Sequence, residues 1–171
     1  MGVGGNAEGQ HEASERGPGG DNFLLGHPPS WTIVGRTPFD NPVSIDQDLE
    51  AAVAMTTSGM RDPRIDLVLS GHVHLHEMRD FGATTLTRRP PQLTVGASGT
   101  ALDQKTRQDS AMIGRPVDGV PVGHLVTVQE FGYAVLRGTG TTWNLRFLNQ
   151  FGTLAPSTNC DLVGAQFPNC V

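Results

Sequence analysis

Apolar positions along the chain fall into short runs divided by glycine and proline. Phe23 to Leu25 form one run, which passes straight into Gly26, His27 and the rigid pair Pro28-Pro29, so a short strand ending in a fixed turn is expected there. Across 44–60, SIDQDLEAAVAMTTSGM, the period changes. Ser44 or Asp46 can cap, acidic residues crowd the first turn, and Leu49, Ala52, Val53 and Met60 make a stripe that closes near Gly59, which predicts a helix. After Pro63, IDLVLS reads as a buried strand ended by Gly71, and QLTVGAS at 92–98 as another strand followed by a glycine turn. HLVTVQEF, YAVLRG and TTWNLRFLN then alternate apolar and polar residues with glycine between them, the pattern of an antiparallel meander. Early strand and helix units joined to a late meander predict a mixed α/β sandwich with a mainly antiparallel β C-terminal half.

Composition narrows the classes. A chain of 171 residues suffices for one domain with a real core, and a domain of this size buries roughly 70% of its unfolded surface. Residues 1–21 are rich in glycine and nearly free of large apolar side chains; burial there cannot offset the entropy of ordering, and a disordered segment is expected. Net charge is -5 without any run of Lys and Arg, which excludes a nucleic-acid surface and an anionic-membrane surface. No apolar stretch reaches the roughly 18 residues needed to span a bilayer, and no basic segment followed by an apolar one opens the chain. The opening MGVGGN lacks the Ser or Thr of a myristoylation site, with Asn6 in its place. Its G-x-G-x-x-A follows no strand, so it is not a dinucleotide fingerprint.

The candidate chemistry lies in LVLSGHVHLHEM, residues 67–78, where His72, His74 and His76 alternate directly after Gly71. A strand that ends in glycine fixes the backbone and presents the following imidazoles together, and neutral imidazoles suit zinc, iron or manganese. FLLGHPP repeats that form, so two adjacent parallel strands would set His27 beside His72 and His74 at the C-terminal edge of one sheet, where open α/β sheets keep their sites. His76 is expected to be solvent-exposed at the rim, and His124, which begins a meander strand, to be structural or exposed. Ser98 in GASGT is no serine nucleophile, because Thr100 stands where G-x-S-x-G requires glycine. Cys160 and Cys170 flank Gly164 and Pro168, which favour a chain reversal; a disulfide clipping the tail, and with it an oxidising periplasmic or secreted setting, is expected.

These segments resemble blocks of the calcineurin-like metallophosphoesterases, including their purple acid phosphatase branch. GHVH matches the G-H-x-H block, LLGHPPSW the strand-plus-histidine block before it, TVGASGTALD the small-residue loop after it, and FGYAVLR with TTWNLRFLN the terminal strands. The resemblance implies a four-layer α/β/β/α sandwich and two divalent or trivalent ions (Fe, Mn or Zn) that activate a water for attack on a phosphoester. By position it makes His27 and His72 ligands of one metal and His74 a ligand of the other; Gly26 and Gly71, with His76 outside the matched block, are candidate rim residues.

The family's D-x-H, G-D-x-x-D and G-N-H-[DE] blocks have no counterpart before His27. Asn6, His11 and Glu12 stand in a suggestive order, but Asn6 and His11 are not adjacent and no strand is read there to carry them. Residues 22–155 are therefore expected to be the C-terminal portion of such a domain, followed by a clipped tail at 156–171. No catalytic residue is identified in this chain, at most one metal is expected, and a missing N-terminal half or a self-association partner is implied. The alternative is a non-catalytic domain, or an interaction module, holding one zinc through His27, His72 and His74.

Overall fold

Alternation along the strands sorts their side chains onto two faces. In a computed structural model, which describes residues 21–33, 43–45, 51, 65–82, 89–99, 101–105, 108–117, 119–139, 142–164 and 166–171, the runs read above become strands β1 (Asn22–Gly26), β4 (Ile65–Ser70), β6 (Gln92–Val95), β9 (His124–Val128), β10 (Gly132–Gly138) and β11 (Trp143–Asn149). Further strands are β2 (Trp31–Ile33), β3 (Val43–Ile45), β5 (His76–Asp80), β7 (Pro116–Val117), β8 (Val120–Pro121), β12 (Cys160–Val163) and β13 (Gln166–Cys170). A 3-10 helix spans Asp109–Met112. The helix expected across 44–60 lies outside the described residues, apart from Ala51, which is helical, and Ser44 and Ile45, which belong to β3. The disorder expected for 1–21 also lies outside them, Asp21 excepted.

Two larger sheets carry the fold. The first has the order β1-β4-β6-β5-β9 and is mixed: β1, β4 and β6 run parallel, while β5 pairs antiparallel with both β6 and β9. The second, β10-β11-β12-β13, is wholly antiparallel, which agrees with the pattern of the C-terminal half. β2 with β3, and β7 with β8, form small ribbons.

The sheets face each other across one core. Leu67, Met78 and Leu93 of the first pack on Leu145, Cys160, Leu162 and Phe167 of the second, all buried. Residues 156–171 are consequently no appendage: β12 and β13 complete the second sheet, Phe167 and Leu162 enter its core, and Cys160 is joined to Cys170 by a disulfide. Asp80 of β5 accepts the Phe167 amide at 2.8 Å, a direct tie between β5 and β13.

On its other face the first sheet buries polar side chains. Gln92 accepts the Trp31 amide at 3.3 Å and donates to the Trp31 carbonyl at 2.5 Å, Arg79 donates to that same carbonyl, and Glu77 accepts the Ile33 amide at 3.0 Å. These groups supplement the pairing of β2 with β3, meeting β2 backbone groups that would be costly to bury unpaired. Glu77 and Arg79 are wholly buried and ion-paired at 3.2 Å. Burial pushes the Glu77 carboxyl up, with the Arg79 charge acting against it, and burial likewise pulls Arg79 down. Trp31 and Ile33 then pack with Phe81, Met112, Val117, Val120, Val122 and Leu125 in a second core.

Candidate functional site

The parallel pairing of β1 with β4 brings the two strand-glycine-histidine units together. Leu25 lies opposite Leu69 and Gly26 opposite Ser70, and past the last pair the Gly71 amide donates to the His27 carbonyl at 3.0 Å. His27 and His72 therefore leave the C-terminal ends of adjacent strands side by side. His72 Nδ1 stands 3.2 Å from His27 Nε2, and the rings meet edge to face with centroids 5.0 Å apart. Two nitrogens bound to one tetrahedral ion lie about 3.3 Å apart for metal–nitrogen bonds of roughly 2.0–2.1 Å. The pair thus has the spacing of two ligands of one ion, and both rings are exposed.

His72 has φ of 65°, in the left-handed region. Such a backbone is uncommon for a side chain of this size and gathers at functional turns, although histidine tolerates it better than branched residues. The turn is held from behind by Gly96. A Cβ there would lie 1.9 Å from the Val73 carbonyl oxygen, and the Gly96 amide donates to the Leu75 carbonyl at 3.0 Å. The close backbone approach that shapes the histidine loop falls at Gly96, where the sequence shows only a turn glycine after β6. At Gly71 a Cβ would make an ordinary 3.9 Å contact.

The other two histidines have different roles. His74 is half-buried, and its backbone is locked to Asp103: its amide donates to the Asp103 carboxylate at 2.8 Å, and the Asp103 amide donates to the His74 carbonyl at 3.1 Å. His76 is not an exposed rim residue. It is 1% exposed, opens β5 between the sheets, and stacks on Phe147 of the facing sheet with centroids 4.4 Å apart. Neither ring nitrogen has a hydrogen-bond partner among the described residues, and burial lowers its pKa from 6.5 to about 3. His124 is partly buried near Phe167, and burial lowers its pKa as well, with Asp80 and Asp109 opposing.

The acids closest to the histidines in sequence are engaged with backbone amides, and Asp66 and Asp80 lie toward the opposite end of the first sheet. Asp66 accepts from Asn22 at 2.8 Å, Asp80 from Gly82 and Phe167, and Asp103 from His74. Among the described residues no three His, Cys, Asp or Glu side chains stand together as a metal-holding group. The chain therefore presents two paired imidazoles, and the three-histidine set is not assembled. A two-metal centre does not fit this donor set, because neutral imidazoles leave the repulsion of two divalent ions about 3.5 Å apart uncompensated.

Beside the pair lies a pocket of about 530 Å³, lined by Leu25, Leu69, Val95, Ala134 and Leu136 with His27. Compared with models of known protein families the chain matches none, and no curated protein matches it. No helix among the described residues is long and apolar enough to cross a membrane.

Proposed function

We propose that this chain is the C-terminal portion of a calcineurin-like metallophosphoesterase domain, in which His27 and His72 are two ligands of a metal centre that other ligands must complete. The observation that carries the reading is the 3.2 Å approach of His27 Nε2 and His72 Nδ1 at the ends of adjacent parallel strands. Two packed sheets support the reading, since the four-layer α/β/β/α sandwich of that family has two sheets as its inner layers. In a completed centre the ions supply an activated water and neutralise phosphate oxygens, which suits a chain without a basic patch. The part this chain plays is to hold one ion, Fe, Mn or Zn, between His27 and His72, to fix the angle between the rings through the His72 turn, and to back that turn with β6 at Gly96. His74 forms no three-donor group with them among the described residues and is left out of the proposed pair. The disulfide fits an oxidising compartment, periplasmic or secreted.

Titration with Zn2+ against a competing chelator tests the proposal. The chain is expected to take up at most one ion, and His27→Ala and His72→Ala should each weaken binding by at least the roughly 10–100-fold that losing even an outer-shell partner costs. Hydrolysis of an aryl phosphate by the chain alone should be no faster than by His72→Ala. Supplying a polypeptide with the D-x-H and G-N-H-[DE] blocks, fused or in trans, should give metal-dependent turnover that His72→Ala abolishes. Zn2+ binding indifferent to both substitutions would overturn the assignment of the pair.

A further inference from the structure

The apolar pocket beside the histidine pair lies between the two sheets, bordered by β1, β4 and β6 of the first and by β10, the outer strand of the second. Leu25, Leu69 and Val95 form one wall, Ala134 and Leu136 the other. Its volume of about 530 Å³ lies within the roughly 300–1,000 Å³ usual for small-molecule sites. Ser70, which also borders it, has its hydroxyl 3.0 Å from that of Thr94 and is already bonded. His27 is exposed and belongs both to this lining and to the imidazole pair, so it stands where the apolar wall meets the polar site. Leu25 is 52% exposed, leaving apolar surface that a ligand could cover with gain.

We propose that this pocket takes the apolar alcohol portion of a phosphomonoester, an aryl or branched alkyl group, while the phosphate lies at His27 and His72. The inference rests on the phosphoesterase reading and adds to it a substrate class. Esters of sugars are disfavoured, because their hydroxyls would be stripped of water against leucine and valine side chains that offer no hydrogen bond. An aryl group loses nothing comparable and covers Leu25, Leu69 and Leu136.

Calorimetric binding of 1-naphthyl phosphate and of glucose 6-phosphate to the whole chain, with Zn2+ present, provides the test. The naphthyl ester should bind at least about tenfold tighter, a difference that burial of a small part of the ring suffices to give. Ala134→Phe fills the pocket from β10, and Leu25→Glu sets a charge on its exposed wall. Each should erase the preference in a chain whose thermal unfolding shows that it is folded, and Leu25→Glu keeps the test open if the larger side chain disrupts packing. Equal binding of the two esters, or a preference untouched by either folded variant, would overturn the proposal. The Zn2+ titration of the unmodified chain reports separately on the histidine pair. Preference lost in the variants supports the pocket even if Zn2+ binding is indifferent to His27→Ala and His72→Ala, an outcome that would sink the phosphoesterase reading alone.

Discussion

Acidification should unfold this protein through His76, a residue with no place in the metal chemistry. Its ring is 1% exposed and stacked on Phe147, and burial takes its pKa from 6.5 to about 3. Above pH 6.5 the imidazole is neutral folded or unfolded, and the proton contributes nothing to the balance. Below 6.5 the unfolded chain binds a proton that the folded chain refuses, so stability falls as pH falls, by about 1.4 kcal/mol for each pH unit, until the folded pKa is reached. The full window from 6.5 to about 3 corresponds to a loss of about 5 kcal/mol, comparable with the whole stability of a small domain. Urea unfolding at steps from pH 7.5 to 4.5, on the wild-type chain and on His76→Leu, isolates this contribution, since Glu77 and His124 titrate in both chains. The wild-type curve should fall below that of the variant by about 2–3 kcal/mol over the interval from 6.5 to 4.5. At pH 7.5 the variant should be no less stable, because an imidazole N–H buried without a partner costs about 1–3 kcal/mol. Parallel curves, or an NMR titration of the His76 ring near 6.5, would refute the argument.

Other outcomes follow from single contacts. Gly96→Ala places a Cβ 1.9 Å from the Val73 carbonyl oxygen; urea unfolding should show a loss of about 1–3 kcal/mol, and Zn2+ binding should weaken with displacement of the histidine loop. Glu77→Leu leaves the buried Arg79 charge unpaired and should cost about 3–5 kcal/mol, partly recovered by adding Arg79→Met, as a double-mutant cycle in denaturant would show. Reduction of the Cys160–Cys170 disulfide should lower stability by at most about 3 kcal/mol; mass measurement with free thiols blocked before reduction should find none in the oxidised chain.

The sequence by itself determined the pieces whose signal is local. Apolar runs closed by glycine marked β1, β4 and β6, alternation marked β9, β10 and β11, and the repeated strand-glycine-histidine unit was enough to expect His27 against His72, because parallel neighbours in register bring equivalent positions together. The cysteine pair was legible in part from Gly164, which has a φ of 59° between β12 and β13, whereas Pro168, read as a turn residue, lies within β13. The tertiary structure decided what depends on which face a strand turns inward. His72, His74 and His76 alternate in the sequence, yet the turn at His72, with its positive φ, breaks the strand, so the parity of His72 says nothing of His76, which β5 turns into the core. Glu77 and Arg79 lie in a segment for which no strand was expected, and they are buried with Gln92 because their side chains meet backbone groups of Trp31 and Ile33 in β2. Residues 160–170 read as a tail because their few apolar positions show no lengthy period; only the open flank of β11 makes them strands. Burial and pairing at these places depend on partners far along the chain, and no local pattern of polar and apolar residues encodes which partner arrives.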